Sequence, residues 1–136
     1  MEIDRALEFI ANNHRGVLAT RKPDGEIQMS PILANVDDDG RVIISSRETA
    51  FKVKNLRRDP AANVCVFVDE FFGDWVQIDG PAEVISLPEA MDLLIDYYKR
   101  FPDSNPDWDD YRERMRSEQR VLIRIEPHSA APDEKG

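Results

Sequence analysis

Residues 16–46, GVLATRKPDGEIQMSPILANVDDDGRVIISS, decide the fold, because they alternate short apolar runs with turn chemistry. GVLAT is a brief apolar strand, and KPDG at 22–25 carries proline and glycine where turn geometry favours them. IQMSPILANV at 27–36 is the next run, DDDG at 37–40 a second turn, and RVIISS a third run. Three such runs joined by tight turns predict a meander of antiparallel strands.

Working outward, ANVCVFVD (62–69), WVQIDGPAEVI (75–85) and RVLIRIEP (120–127) read as three more strands, and Gly80-Pro81 marks a bend in the longest. Ile3, Ala6, Leu7, Phe9 and Ile10 recur at helical spacing, which predicts an opening helix over 3–12. After the third strand, Thr49 is the expected N-cap of a short helix that turns Phe51, Val53 and Leu56 inward and stops at Asp59-Pro60. LPEAMDLLIDYYKRF and DDYRERMRS, separated by the link PDSNPDWDD, predict two helices before the last strand. The ending HSAAPDEKG, 128–136, has the composition of a frayed, flexible tail. The expected fold is mainly β: one domain over 1–136, a six-stranded antiparallel barrel with helical additions. A closed barrel removes exposed edges, and strands apolar on both faces call for some outward cover as well.

With a formal net charge of −9, the chain lacks the positive footprint that nucleic acid or an anionic membrane needs, so neither is an expected partner. No apolar run approaches the roughly 20 residues of a membrane-spanning helix. A lone cysteine, Cys65, inside VCVFV fits a buried thiol in a cytoplasmic protein. His14 and His128 have no HExxH, CxxC or GxSxG pattern beside them, so they are expected to be solvated, with no metal site and no hydrolytic triad. The GxGxxG and Walker phosphate loops are missing too.

Against this acidic background SSRETAFKVKNLRRDP, 45–60, is a basic island: Arg47, Lys52, Lys54, Arg57 and Arg58 face a single Glu48 before its closing aspartate. Ser45, Ser46, Arg47 and Lys52 gather hydroxyls, a guanidinium and an ammonium at a helix start, a composition suited to phosphate. The competing reading is a solvated basic helix face. Arg57 and Arg58 fit that second reading, since cations suit a helix C-terminus. In Gln28-Met29-Ser30-Pro31-Ile32 the in-strand proline marks either a protected edge or a place where a flat heterocycle approaches the backbone. Trp75 and Gln77 alternate on the fifth strand, suited to a cofactor or to a core. Phe71, Phe72 and Trp75 serve equally as local core cover or as a dimer surface.

In sequence the chain resembles the split β-barrel flavin-binding proteins related to pyridoxamine 5′-phosphate oxidase, and specifically the actinobacterial branch that uses the deazaflavin coenzyme F420. The similarity lies in GVLAT, QMSPI, AFKVKNLRRDP, WVQIDGPAEV and PDWDDYRERMRSEQRVLIRIEP, in that order, over about residues 5–127. The resemblance implies a homodimer with a cofactor groove between subunits. It puts Lys52, Ser45, Ser46 and Arg47 near phosphate or the ribityl chain, Gln28, Ser30, Pro31 and Ile32 along the ring, and Trp75 and Gln77 in the partner subunit's groove. Ala50 stands where closer relatives carry an arginine two residues before the helix lysine, and Arg47 is the candidate replacement.

The implied activity is hydride transfer from reduced F420 to an activated double bond or a similar electrophile in a small molecule. No side chain is expected as a catalytic acid, and Tyr97, Tyr98 and Tyr111 are expected to pack rather than react. The oligoglutamate tail of F420 would favour extra cations, such as Lys54 or Arg57, near the groove mouth. The alternatives are an FMN-binding oxidase or flavin reductase on the same fold, and a non-catalytic carrier of F420, haem or a tetrapyrrole.

Overall fold

The alternating runs form antiparallel strands, and the last long strands close them into a ring. The computed structural model describes residues 1–102 and 104–133. In chain order they form α1 (Ile3–Asn12), β1 (Arg15–Arg21), β2 (Ile27–Val36), β3 (Val42–Arg47), α2 (Phe51–Arg58), β4 (Ala61–Phe67), β5 (Trp75–Ile85), α3 (Ala90–Lys99), α4 (Trp108–Ser117), β6 (Arg120–Ile125) and β7 (Ser129–Ala131). The order β4-β1-β2-β3-β6-β5 is closed by β4 pairing with β5, so six strands make a barrel and β7 lies outside it on β5. Gly25 closes the first turn with φ +86°, a conformation that glycine adopts without steric cost.

The bend expected at Gly80-Pro81 is where the barrel splits. Up to Pro81, β5 pairs with β4; from Ala82 it pairs with β6. A Cβ on Gly80 would lie 1.8 Å from the Glu126 carbonyl oxygen, so only glycine lets the two backbones approach this closely. Pro81, with no N–H to give, sits at this change of partner.

Two cores follow from strands that are apolar on both faces. Inside the barrel, Leu18, Val42, Ile44, Val64, Ile78 and Ile123 pack with Ala6 and Ile10 of α1 and with Val53 and Leu56 of α2. Outside it, Ile43 and Leu122 are buried beneath Leu94, Tyr97, Tyr111 and Met115 of α3 and α4. Each large side chain so buried contributes about 1.5–3 kcal/mol, enough for Val53 and Leu56 to fix the eight-residue α2 against the barrel.

Four local expectations are corrected. The residue at the N-cap of α2 is Ala50, with extended backbone and no side-chain cap, rather than Thr49. Phe51 is 69% exposed, and Asn55 takes the inward place beside Val53 and Leu56. Residues 129–131, assigned to a frayed tail, pair with Gln77–Asp79 as β7, while 134–136 lie outside the described residues. His14 is half-buried: its Nδ1 is 2.9 Å from the Ala34 carbonyl and its ring meets Phe101 edge-on. Among the described residues, no helix is long and apolar enough to cross a membrane.

Candidate cofactor groove

A groove of about 1070 Å³ is lined from β1, β2, β3, α2, β4, α3, α4 and β6. It brings together six residues singled out in the sequence: Pro31, Ile32, Ser45, Ser46, Arg47 and Lys52. The reason is local. β3 ends in the two serines, one turn follows, and α2 begins at once, so Lys52 in its first turn stays close to the strand that leads into it.

Gln28 and Ser30 belong to the same neighbourhood but turn toward α2. Lys52 Nζ donates to Ser30 Oγ at 3.1 Å, and Asn55 Nδ2 donates to Gln28 Oε1 at 2.8 Å and to Thr20 Oγ1 at 3.1 Å. Residues three apart on a helix share a face, as do residues two apart on a strand, so Lys52 and Asn55 meet Ser30 and Gln28 in register. Burial, followed by the charge of Arg120, lowers the pKa of Lys52.

Trp75 and Gln77 do not line this groove. They lie on the outer face of β5, where Trp75 pairs with Phe67, a groove residue of β4, and Gln77 pairs with Cys65. Gln77 Nε2 donates to Asp79 Oδ1 at 2.7 Å. Phe71 and Phe72, at the tip of the β4–β5 hairpin, are 92% and 94% exposed and cover no core of this chain.

The basic island is largely matched from within. Arg47 pairs with Glu118 at 3.1 Å. Arg57 pairs with Glu48 at 2.9 Å and donates to Ser86 Oγ at 2.7 Å, beside a separate cleft of about 510 Å³. Arg57 is therefore turned away from the groove it was expected to serve. The Ser86 hydroxyl is the largest influence on Glu48; burial opposes it, and Arg57 adds to it, so the carboxyl is held below its usual range. Arg58 donates to the Arg21 carbonyl, and Lys54 lies 5.7 Å from the Phe51 ring centre. Among the described residues, Lys52 makes no ion pair.

Sequence reasoning missed Arg120 and Glu118, which also line the groove. Their signal is the β3–β6 register, which sets Arg120 opposite Arg47 and is visible only once the strands pair. Tyr97, Tyr98, Phe101 and Tyr111 add an aromatic wall, with Tyr98 and Tyr111 ring centres 4.9 Å apart. Tyr97 Oη donates to the Leu33 carbonyl at 2.8 Å and Tyr111 Oη to that of Leu94 at 3.0 Å. Burial pushes both phenols up to about 12, so neither is an acid poised for neutral pH.

A family model described as pyridoxamine 5′-phosphate oxidase matches residues 3–131. A conserved hypothetical protein from Mycobacterium tuberculosis shares the fold with a TM-score of 0.78 and 25% identity, over 96% of this chain and 82% of that one. A structure named as an F420 reductase has a TM-score of 0.63 and 18% identity, over 88% and 90% of the two chains. An FAD-binding protein from Mesorhizobium loti has a TM-score of 0.66 and 19% identity, over 96% and 92%.

Proposed function

The chain belongs to the pyridoxamine 5′-phosphate oxidase family, and from that premise we propose that it is an F420-dependent oxidoreductase that reduces an activated double bond or similar electrophile in a small molecule. The observation that carries this reading is the convergence, in one groove, of Lys52, Arg47 and two serines with Pro31, Ile32 and an aromatic wall. A phosphate-bearing planar group fits that donor set: the cations and hydroxyls meet the phosphate, and the apolar strand segment flanks the ring. The preference for F420 over FMN rests on the sequence resemblance through NLRRDP and WDDYR, and the similar fold of an F420 reductase accords with it.

Reduced F420 supplies the hydride when bound. The chain's own part is placement. Lys52, steadied by Ser30, would hold the phosphate with Ser45, Ser46 and Arg47, while Pro31 and Ile32 would flank the ring and help to exclude water. Tyr97 and Tyr111 keep their protons on main-chain carbonyls, so they pack rather than donate.

A homodimer belongs to the same proposal. Ile27, Met29 and Leu33 of β2 are 45%, 69% and 50% exposed on the outer face that they share with Phe67 and Trp75. This apolar face adjoins the groove through Leu33 and Phe67, and a second copy would cover it while bringing its own Trp75 and Gln77 to the site. The test is steady oxidation of reduced F420 upon addition of an enone, with the Lys52→Ala variant markedly slower. A protein that binds F420 and never oxidises it would be a carrier rather than a reductase.

A further inference from the structure

Arg47 and Arg120 stand directly opposite each other on the β3–β6 ladder. Like charges so placed repel, and an anion between them removes the repulsion. Here that anion is Glu118. Its Oε1 alone accepts Arg47 Nη2 at 3.1 Å and Arg120 Nε at 3.0 Å, and lies 2.9 Å from Arg120 Nη2. Lys52 lines the same groove and feels the charge of Arg120 as well, without touching the carboxylate, so three cations share one field in which only the two arginines are paired.

Glu118 occupies this place against local preference. It is the C-cap residue of α4, where the helix dipole disfavours an anion. The next residue, Gln119, has φ +53°, a conformation that glycine usually supplies at a helix end. What that turn achieves is to bring the carboxylate back onto Arg120 two residues later. Burial raises the Glu118 pKa, but the bonds and charges of Arg120 and then Arg47 outweigh it, so the group is ionised at neutral pH.

We propose that Arg120, together with Arg47 and Lys52, is the anion-binding centre of the groove, and that Glu118 is an internal competitor which a phosphate group displaces. The identity of the natural ligand rests on the cofactor reading above; the centre itself recognises a tetrahedral oxyanion, whatever carries it. Displacement sets a threshold: an incoming group must satisfy two guanidiniums at once to replace a carboxylate already in place.

Sulfate is the probe, because its charge does not change near neutrality. It is titrated at low ionic strength, and the Arg47 and Arg120 side-chain Nε–Hε signals and the Glu118 carboxyl carbon are followed by NMR. In the native chain all three should shift with one Kd. Glu118→Gln should bind sulfate about tenfold tighter, as expected when a competing charged hydrogen bond is removed. Glu118→Ala should show a gain in the same direction, and Arg120→Gln added to either variant should abolish it. Unchanged or weaker sulfate affinity in both Glu118 variants, or a gain that survives Arg120→Gln, overturns the proposal. Parallel titrations with FMN and F420 separate it from the cofactor reading. A sulfate gain without binding of either cofactor supports the centre and removes that reading, whereas cofactor binding indifferent to Glu118 and Arg120 removes the competitor.

Discussion

Replacing Asn55 by alanine tests how α2 is held. Asn55 is 4% exposed and Thr20 is fully buried, and the amide joins the Thr20 hydroxyl to Gln28. The substitution removes the two hydrogen bonds to Thr20 and Gln28, each worth about 1 kcal/mol, together with a long one accepted from Arg58 at 3.4 Å, and strands the Thr20 hydroxyl, for a total of about 2–3 kcal/mol. In a chain of this length that lowers Tm by roughly 6–12 °C. Thermal or urea unfolding measures it, and a double-mutant cycle with Thr20→Val isolates the coupling. Once Asn55 is gone, removal of the Thr20 hydroxyl should cost far less than it does in the native chain, because the hydroxyl has already lost its partner. Lys52 lies on the same helix face, so phosphate-dependent binding should weaken as well. A loss under 0.5 kcal/mol, or two additive substitutions, would refute the account of α2 as a helix locked by its one buried amide.

Gly80→Ala should cost about 3 kcal/mol or more, or prevent folding, because its Cβ would overlap the Glu126 carbonyl backbone; expression level and Tm read this out. Met29→Glu, on the outer apolar face and outside the core, should leave the circular dichroism spectrum unchanged and convert the proposed dimer to a species of 15.6 kDa in light scattering. Tyr97 and Tyr111 have folded-state pKa values raised to about 12 from 10.0, so the folded chain keeps protons that the unfolded chain releases. Their contribution to stability is therefore full below about pH 10 and is lost as pH rises through about 12. In a Tyr98→Phe variant, which leaves Tyr97 and Tyr111 as the two tyrosines, absorbance of ionised tyrosine should accordingly rise together with alkaline unfolding rather than before it.

Much of the fold was legible because alternation and turn chemistry act locally. β2 and β5 run from Ile27 to Val36 and from Trp75 to Ile85, as the sequence alone indicates, since turn residues flank β2 and the Gly80-Pro81 bend falls within a single strand. What failed depended on partners remote in the chain. Phe51 reads as inward by hydropathy and Asn55 as outward, yet two strand side chains reverse the order by satisfying the amide. β7 carries no strand signal of its own and forms because β5 has an edge left unpaired before its switch to β6. In the groove, the serines and lysine of one short stretch and the proline of another were legible as chemistry. Arg120 and Glu118 were not, because only the β3–β6 register and the turn at Gln119 bring them to Arg47.

The central claim is that this groove takes a phosphate-bearing deazaflavin through Lys52. Paired titrations of the native chain and Lys52→Ala with F420 and with FMN, followed by tryptophan quenching, test it most directly. The account predicts saturable binding of F420 that weakens in the variant by the 1.5–3 kcal/mol order of a charged hydrogen bond. Tight FMN binding with no response to F420, or F420 affinity untouched by loss of Lys52, would contradict it.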